Sequence, residues 1–227
     1  MKKVKNILYD SIDFSIAAIL LSSTAPLFLL AIFLVKLDSP GPIFYTQIRY
    51  GKNKKTFRIY KFRTMKQNAE AESPVWGRED DPRSSRNGKF LRVCHIDELP
   101  QLFNVLKGQM SIVGPRPERP YFADRFKSVI AGYEERHRIK PGITGWSQIN
   151  GLRANSCVAK RTEYDHFYIN NRSLAFYFKI LLLTPLAKPV QREQPSVLPL
   201  DNHRLTFSQA AEDLVGNIPL MTPIKNA

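Results

Sequence analysis

The residue types best suited to chemistry stand together in one short stretch, HIDELPQLF, in which Asp97 and Glu98 precede Pro100. Proline is favoured in the first turn of a helix, so the acidic pair is expected just before a helix that begins near Pro100. The simplest interpretation is an N-terminal cap, worth about 1 kcal/mol of stability. The alternative is catalysis, because a carboxylate can attack phosphorus or hold a divalent cation.

Four basic side chains accompany the acidic pair and favour the catalytic alternative. They are Lys61 and Arg63 in FRIYKFRTM, Arg92 shortly before the pair, and Arg116 between two prolines in GPRPERP. Proline restricts its own φ and the conformation of the residue before it. GPRPERP is therefore either a plain turn or a rigid segment that holds Arg116 in a fixed position. Because ammonium and guanidinium groups clamp phosphate oxygens, the pattern predicts a diphosphate site. Asp97 would be its nucleophile, and Glu98 would bind the cation.

The overall charge also indicates an anionic partner. The 227 residues include 34 Lys and Arg against 20 Asp and Glu, a net charge of +14. Such an excess is typical of proteins that bind nucleic acid, acidic lipid or phosphorylated substrates. No nucleic-acid recognition motif accompanies the charge, so we expect no nucleic-acid partner. Two cysteines without CxxC or zinc spacing indicate a reducing compartment and no structural metal.

An uncharged apolar segment, FSIAAILLSSTAPLFLLAIFLV at residues 14–35, is the strongest physical signal in the chain. As one straight helix it would about span the roughly 30 Å of a bilayer core. A secretory signal peptide fits poorly, because its apolar core is only about 7–15 residues long.

The flanks and the centre of this segment favour a helix that enters the membrane and returns to the same face. Basic residues both precede it and follow it, which draws both ends toward the cytoplasm. Pro26 predicts a kink near its middle, and the hydroxyls of Ser22, Ser23 and Thr24 can bond backbone groups that the kink frees. A single-pass helix and a buried helix of a soluble protein are the alternatives.

The remaining chain predicts an α+β fold that is mostly helical. The stretches IFYTQIRY and TFRIYKFRTM around GKNKK predict a small β-hairpin. The polar residues 67–89 indicate a mobile loop, residues from 96 onward have helical apolar spacing, and RPYFADRFKSVIAGYEERHRI indicates a surface helix. The apolar stretch at 173–188 predicts an interfacial amphipathic helix, with an ordinary core helix as the alternative.

These elements divide the chain into three parts. We expect an N-terminal re-entrant membrane helix at residues 1–37 and a cytoplasmic catalytic core at 38–188, on which interfacial amphipathic helices pack. A divergent, loosely ordered tail is expected at 189–227.

Three stretches closely resemble the bacterial sugar transferases. They are GPIFYTQIRYGKNKKTFRIYKFRTM, GKFLRVCHIDELPQLFNVLKGQMSIVGPRPERPYF and RHRIKPGITGWSQINGLR, and the resemblance runs from about Ile7 to Leu183. This family contains the monotopic polyprenyl-phosphate phosphoglycosyl transferases that start exopolysaccharide, O-antigen and glycoprotein glycan assembly. The resemblance implies a re-entrant membrane helix and a Mg²⁺-dependent site on the cytoplasmic face of the bacterial inner membrane, among its lipids. It also allows a homo-oligomer.

The resemblance further implies a two-step reaction. Asp97 would attack the β-phosphate of a UDP-sugar, release UMP and carry a phospho-sugar that undecaprenyl phosphate then takes. Glu98 would be the metal ligand and second catalytic residue, and the substrate phosphates would contact Lys61, Arg63, Arg92 and Arg116. RPERPYF and INGLR favour a hexose such as glucose or galactose. Many hexose enzymes carry extra N-terminal spans, which this chain lacks, so it resembles the catalytic unit alone.

Three departures from the family pattern have structural consequences. Ala25-Pro26 replaces the usual Ser-Pro, so a nearby hydroxyl must substitute at the kink. His95 occupies a position where the family usually has a small hydroxyl residue. Near the end, RSLAFYFKI lacks the two tryptophans and the acid of the family pattern. A lone histidine is more often structural than catalytic, so His95 is assigned no role. The changes near the end are expected to affect anchoring at the membrane interface and to leave the catalytic core intact.

Two other classes of function compete with the transferase. A membrane-anchored basic module without catalysis would explain the charge and the N-terminus, but not the acidic pair among arginines. A glycosidase needs its two acids about 5–10 Å apart across a sugar, and neighbours at a helix start are poorly placed for that.

Overall fold

The computed structural model describes residues 2–38, 40–65, 81–153 and 156–187, and the structural statements below concern those residues. The expected tail at 189–227 lies outside them. Eight α-helices and two separate two-stranded sheets make up the described part, so the mostly helical α+β class is confirmed.

The apolar N-terminal segment forms two helices, α1 (Lys2–Ser23) and α2 (Ala25–Asp38), bent by 63° at Thr24. The expected break beside Pro26 is therefore confirmed. The hydroxyls expected to support it donate to carbonyls one turn earlier, from Ser22 to Ala18 at 3.0 Å and from Thr24 to Leu20 at 2.6 Å. In the described chain no single helix has both the length and the apolar character to cross a membrane, and only the bent pair taken together does.

The bent pair packs on the rest of the chain with one side and leaves apolar side chains exposed on the other. Tyr9 and Ala17 of α1 belong to the main core, and Ala31 and Val35 of α2 pack with the hairpin. Asp13 links α1 to two other elements. Its carboxylate accepts hydrogen bonds from the hydroxyl groups of Ser111 and Tyr177 and from the amide of Ile112. This buried acid just outside the apolar segment was not anticipated.

The predicted hairpin is confirmed. Strands β1 (Phe44–Tyr50) and β2 (Thr56–Phe62) pair antiparallel with Tyr45 opposite Lys61. They are joined by a tight 3₁₀ turn in which Asn53 has φ 53°. A second sheet was not anticipated: β3 (Ser111–Val113) runs parallel to β4 (Gly142–Thr144). Strands of three residues are too short to leave an alternating pattern in the sequence.

The prediction of a mobile loop over 67–89 is wrong for its last residues. Residues 66–80 lie outside the described chain, but α3 (Arg86–Val93) is helical. Ser85 caps it by accepting a hydrogen bond from the amide of Gly88. Asp38 at the end of α2 also accepts from that amide, at 3.2 Å. The polar composition of this stretch does not indicate a helix, because α3 packs on α2, whose residues, such as Asp38, are distant in the sequence.

The helix expected near Pro100 is shorter than its apolar spacing indicated. Residues Ile96–Glu98 form a 3₁₀ turn, and α4 (Gln101–Leu106) follows Pro100. The acidic pair thus precedes the helix as predicted, but no side chain caps α4.

The other helices complete a layer around the two small sheets. They are α5 (Pro120–Val129), α6 (Trp146–Ile149), α7 (Val158–Asn170) and α8 (Leu174–Leu183), with a 3₁₀ helix at Tyr133–Arg138 after α5. The predicted surface helix is therefore interrupted after Val129. In α8, Tyr177 and Ile180 are buried, whereas Phe178 and Leu182 are exposed. Because the exposed side chains are apolar as well, α8 is apolar on both sides and does not show the polar face that the amphipathic prediction requires.

Candidate active site

Glu98 is the centre of a compact group of charges drawn from three parts of the fold. Its carboxylate accepts a hydrogen bond of 2.6 Å from Lys61 on β2. It also accepts two from the guanidinium of Arg116, at 2.7 and 3.3 Å. The hairpin, the 3₁₀ turn and the proline-rich connector Pro115–Glu118 therefore meet at this carboxylate. Although burial alone would raise it, the pKa of Glu98 is held well below its usual range by Arg116 and Lys61.

Asp97 differs sharply from its neighbour. It is 7% exposed, and no side chain or amide in the described ranges donates a hydrogen bond to its carboxylate. Burial, together with the negative charge of Glu98, raises the pKa of Asp97 to about 6 against the opposing effect of Lys61 and Arg116. A buried carboxylate without hydrogen bonds keeps its lone pairs available, so Asp97 suits nucleophilic attack and Glu98 suits charge organisation.

The two other predicted phosphate-binding arginines, Arg92 and Arg63, bond to different parts of the fold. Arg92, at the end of α3, donates to Ser84 at 2.8 Å, and its charge acts on Asp97. Arg63 is buried, and its guanidinium donates to the carbonyl of Pro40, where the chain enters β1. Contact of either residue with substrate remains a prediction.

A buried asparagine that the sequence did not single out aligns the hairpin with the acidic pair. Asn104 on α4 accepts from the amide of Tyr60 at 3.0 Å and donates to the carbonyl of Arg58 at 2.7 Å. Because Lys61 follows Tyr60, these bonds determine where its ammonium group reaches. An asparagine inside an apolar helical run was the available signal.

The backbones of β3 and β4 approach each other closely just before the connector begins. A Cβ atom on Gly142 would lie 2.1 Å from the amide nitrogen of Gly114, so only glycine lets β4 pass this close to the end of β3. The amide of Gly114 donates to the carbonyl of Thr144 at 2.8 Å. The connector that carries Arg116 begins directly after this contact.

Comparison with known proteins shows the family of the chain. Residues 4–189 match the model of the family described as bacterial sugar transferase. The chain belongs to the bacterial sugar transferase family. The resemblance expected from DELPQ and GPRP is therefore confirmed.

Relatives of this family member carry names for different sugars. The chain is 46% identical over 164 residues to the UDP-N-acetylgalactosamine-undecaprenyl-phosphate N-acetylgalactosaminephosphotransferase of Aeromonas hydrophila, covering 71% of this chain and 39% of the relative. It is 41% identical over 185 residues to the UDP-glucose:undecaprenyl-phosphate glucose-1-phosphate transferase of Escherichia coli (strain K12), covering 80% and 40%. A protein of the same name from Caulobacter vibrioides is 39% identical over 195 residues, which cover 84% of this chain and 70% of the relative. The chain thus spans about two fifths of the first two relatives.

His95, a departure from the usual family pattern, lies at the edge of the site. Its backbone is left-handed, with φ 56° and ψ 16°, which is uncommon for a residue other than glycine. Its Nε2 contacts the guanidinium of Arg153, which brings the INGLR stretch beside the acidic pair. Partial burial and the charge of Arg153 lower the pKa of His95.

The donor set fits one kind of magnesium site. The described chain holds no group of three or more His, Cys, Asp or Glu side chains placed to bind a metal ion. Mg²⁺, however, is usually held by one or two carboxylates, with waters and substrate phosphates as its other ligands. The neighbouring carboxylates of Asp97 and Glu98 fit that arrangement, in which the substrate completes the site.

Proposed function

We propose that this chain is a phosphoglycosyl transferase, a transferase of phosphorus-containing groups that moves a sugar-1-phosphate from a UDP-sugar to undecaprenyl phosphate and releases UMP. The reaction would begin assembly of a bacterial surface polysaccharide or glycan. The observation that carries the proposal is the difference between the two neighbouring acids. Glu98 engages Lys61 and Arg116, while the carboxylate of Asp97 is buried, accepts no hydrogen bond from the residues that the structure describes and has a raised pKa. The names of the family relatives support the same reaction class.

In the first step, a carboxylate oxygen of Asp97 attacks the β-phosphorus of the UDP-sugar. The new bond joins that oxygen to phosphorus, and the bond from the β-phosphorus to the oxygen shared with the α-phosphate breaks. That oxygen leaves with the electron pair as UMP. A pKa of about 6 leaves Asp97 ionised at neutral pH, yet more basic than an ordinary aspartate.

In the second step, a phosphate oxygen of undecaprenyl phosphate attacks the same phosphorus. The bond between phosphorus and the Asp97 oxygen breaks, and the carboxylate is restored. Splitting the transfer into two displacements at one nucleophile lets a water-soluble donor and a lipid acceptor use the site in turn.

The basic side chains would bind and orient the diphosphate. Lys61 and Arg116 reach the carboxylate next to the nucleophile, so they lie where phosphate oxygens would arrive. Arg116 can clamp two oxygens at once because its guanidinium is planar. Arg92 adds positive charge on the α3 side, and Arg63 is included as a more distant contributor.

Glu98 is the residue that would hold Mg²⁺, with Asp97 as a neighbouring oxygen donor. When bound, the ion would neutralise charge on the diphosphate and on the departing UMP. In the described structure Lys61 and Arg116 occupy the Glu98 carboxylate. They must therefore be shared with the phosphates before Glu98 can serve as a ligand.

The bent helix pair would enter one leaflet and return, which makes the protein monotopic on the cytoplasmic face of the inner membrane. Several large apolar side chains on both helices are exposed, including Ile19, Leu29, Phe33 and Leu37. Leu182 and Leu186, in and after α8, are also exposed. Lipid is the natural environment for such side chains, and basic residues on both flanks favour a cytoplasmic orientation.

The test is UMP release from a panel of UDP-sugars by detergent-solubilised protein with undecaprenyl phosphate, with Mg²⁺ or with EDTA. The panel contains glucose, galactose and their N-acetylated forms, because the relatives are named for both classes and RPERPYF favours a hexose. We expect release that needs Mg²⁺ from one or two sugars. Asp97→Asn should reduce it by about 10⁴-fold or more.

Asp124→Asn is the matched control, because Asp124 is an exposed carboxylate that bonds Tyr50 and Lys54 on the surface. It should leave UMP release unchanged. Mass spectrometry of the Asp97 peptide after a turnover without lipid acceptor should find the added phospho-sugar. Folded wild-type protein that releases no UMP from any sugar would refute the proposal and favour a basic membrane module without catalysis.

A further inference from the structure

The connector Pro115–Glu118, which carries Arg116, has every backbone carbonyl engaged. Two of the four carbonyls bond to neighbouring backbone. Pro115 accepts from the amide of Gly142 at 2.9 Å, and Glu118 accepts from the amide of Tyr50 at 2.9 Å. The ends of the connector are therefore tied to β4 and to β1.

The two central carbonyls accept hydrogen bonds from arginine side chains. The carbonyl of Pro117 accepts from Arg49 at 3.2 Å, and that of Arg116 accepts from Arg136 at 3.1 Å. Arg116 is thus bonded at both ends: its carbonyl oxygen accepts from Arg136, and its guanidinium donates to Glu98.

Arg136 is itself held from several directions. It is 3% exposed and lies in the 3₁₀ helix Tyr133–Arg138. The nitrogen that bonds Arg116 also donates to Asp165 of α7 at 2.7 Å, and its other terminal nitrogen donates to the hydroxyl of Tyr133 at 2.9 Å. A planar guanidinium bonded in this way has little freedom to rotate or shift.

The charges around Arg136 form a second buried cluster behind the connector. Glu118 lies 3.0 Å from a nitrogen of Arg161, 3.8 Å from one of Arg49 and 3.9 Å from one of Arg136. Ser147 donates to Asp165 at 2.9 Å. Members of this cluster come from β1, the connector, the 3₁₀ helix, α6 and α7, so it joins five segments into one rigid support.

We propose that Arg136 is a positioning residue for Arg116: by holding the Arg116 carbonyl against the buried Asp165, it places the Arg116 guanidinium where it meets Glu98 and the substrate diphosphate. The inference rests on the proposed function. A displacement of about 1 Å in a group that orients substrate can cost about 100-fold in rate. Lysine is a poor replacement for this arginine, because an ammonium nitrogen placed to bond Arg116 and Asp165 cannot also occupy the position of the nitrogen that bonds Tyr133.

The test is a double-mutant cycle on UMP release. Arg136→Lys should lower kcat by about 100-fold. In an Arg116→Ala background the same change should cost no more than about twofold, because the group it positions is already absent. Arg138→Lys is the matched control, since Arg138 is an exposed neighbour in the same 3₁₀ helix and pairs with Glu135. It should leave kcat unchanged in both backgrounds.

Equal costs of Arg136→Lys in both backgrounds would overturn the proposal, because they would show a general structural effect. Near-wild-type activity of folded Arg136→Lys would overturn it too. If Arg136→Lys does not fold, Asp165→Asn replaces it in the cycle: this change keeps an oxygen acceptor for Arg136 but removes the charge. It should lower kcat by about tenfold in the wild-type background and have no effect without Arg116.

A readout that does not depend on activity separates this inference from the proposed function. Hydrogen exchange at the amides of Tyr50 and Gly142, which donate to connector carbonyls, should be at least tenfold faster in Arg136→Lys than in Arg138→Lys, because the connector is released. If the wild-type protein releases no UMP but this difference is found, the proposed function fails and the positioning of Arg116 stands. Equal exchange in the two variants would overturn the positioning role.

Discussion

Two clusters of acids and cations lie on either side of the connector Pro115–Glu118, and they differ in how completely their charges are paired. In the support cluster, Glu118 and Asp165 each lie within ion-pair distance of buried arginines. In the site cluster, Glu98 accepts hydrogen bonds from Lys61 and Arg116, while Asp97 accepts none from any residue in the described ranges.

The difference shows how the same residue types serve structure in one place and chemistry in the other. Burial acts to raise the pKa of Glu118, but Arg161, Arg136 and Arg49 lower it below its usual value, so this acid is a fixed anion. Asp97 is equally buried, but its cations are engaged by its neighbour, and its pKa rises to about 6. A carboxylate with few partners inside the protein remains free to react with a group outside it.

Removing the charge of Glu118 should have the largest effect on stability. Glu118→Gln leaves two buried guanidiniums, of Arg136 and Arg161, and the partly buried one of Arg49 with one carboxylate fewer, so it should destabilise the protein by about 3–5 kcal/mol. Thermal unfolding in detergent at pH 7.5 measures this. Glu134→Gln, at an exposed carboxylate bonded to Lys54, is the control and should leave the midpoint unchanged.

The pH dependence of this effect has a definite sign. Because the folded-state pKa of Glu118 is lowered, its contribution is present above the unfolded value near 4.5 and is lost as the pH falls below it. The gap between wild type and Glu118→Gln should therefore narrow at acidic pH. A gap that is constant down to pH 3.5 would mean that Glu118 acts through packing and not through charge.

The pKa of Asp97 is shifted in the opposite direction to that of Glu118, and the pH dependence of activity measures this shift. The ionised form reacts, and its pKa is raised to about 6, so UMP release should fall about tenfold per pH unit below 6 and level off above 7. The measurement is a single turnover without undecaprenyl phosphate, whose own phosphate titrates near the same pH. A rate of UMP release that stays constant down to pH 4.5 would show that the reaction does not depend on the ionised form of Asp97.

Stability should change in the opposite direction at the same residue. Burial favours the protonated form of Asp97, so ionisation costs stability as the pH rises from about 4 through 6. Asp97→Asn should therefore unfold at a higher temperature than wild type at pH 7.5 and at a similar one at pH 4. Loss of activity with gain of stability would separate the site cluster from the support cluster, where both are lost together.

The site cluster could be found from the sequence far better than the support cluster. Asp97 and Glu98 are adjacent, and Arg116 is marked by two prolines, so local patterns identify them. Arg136 and Asp165 are separated from the connector by turns and helices and resemble ordinary surface charges in the sequence. Only the packing of the 3₁₀ helix on α7 reveals that they are buried.

The same distinction holds for the fold. The hairpin and the broken N-terminal helix leave strong local patterns, namely a Gly/Asn turn and a proline within an apolar run. The sheet formed by β3 and β4 depends on close backbone approach at Gly142, and α3 depends on Asp38 from the preceding helix. Long-range contacts of this kind have no signature in a single sequence.

Alignment of the hairpin should matter less than either charge cluster. Asn104→Asp keeps an acceptor for the Tyr60 amide but removes the donor to the Arg58 carbonyl. We expect destabilisation of about 1–3 kcal/mol from the unpaired buried group, and a several-fold lower kcat as Lys61 shifts. Lys107→Gln is a matched control on the same side of the hairpin, because Lys107 bonds the exposed hydroxyl of Tyr60. Unchanged kcat with reduced stability would limit Asn104 to a structural role.

The smallest effect is expected at His95, which lies between the site cluster and Arg153. His95→Ser loses the ring that contacts the Arg153 guanidinium and puts serine, which adopts left-handed backbone less readily than histidine, at φ 56°. The contact is partly exposed, so kcat should change less than threefold, while KM for the UDP-sugar rises modestly as Arg153 loses a partner. The pH profile should keep its inflection near 6, because that inflection belongs to Asp97. If the inflection disappears in His95→Ser, the group that titrates is His95 and not the nucleophile Asp97, and the site cluster then contains a titrating residue beside its two carboxylates.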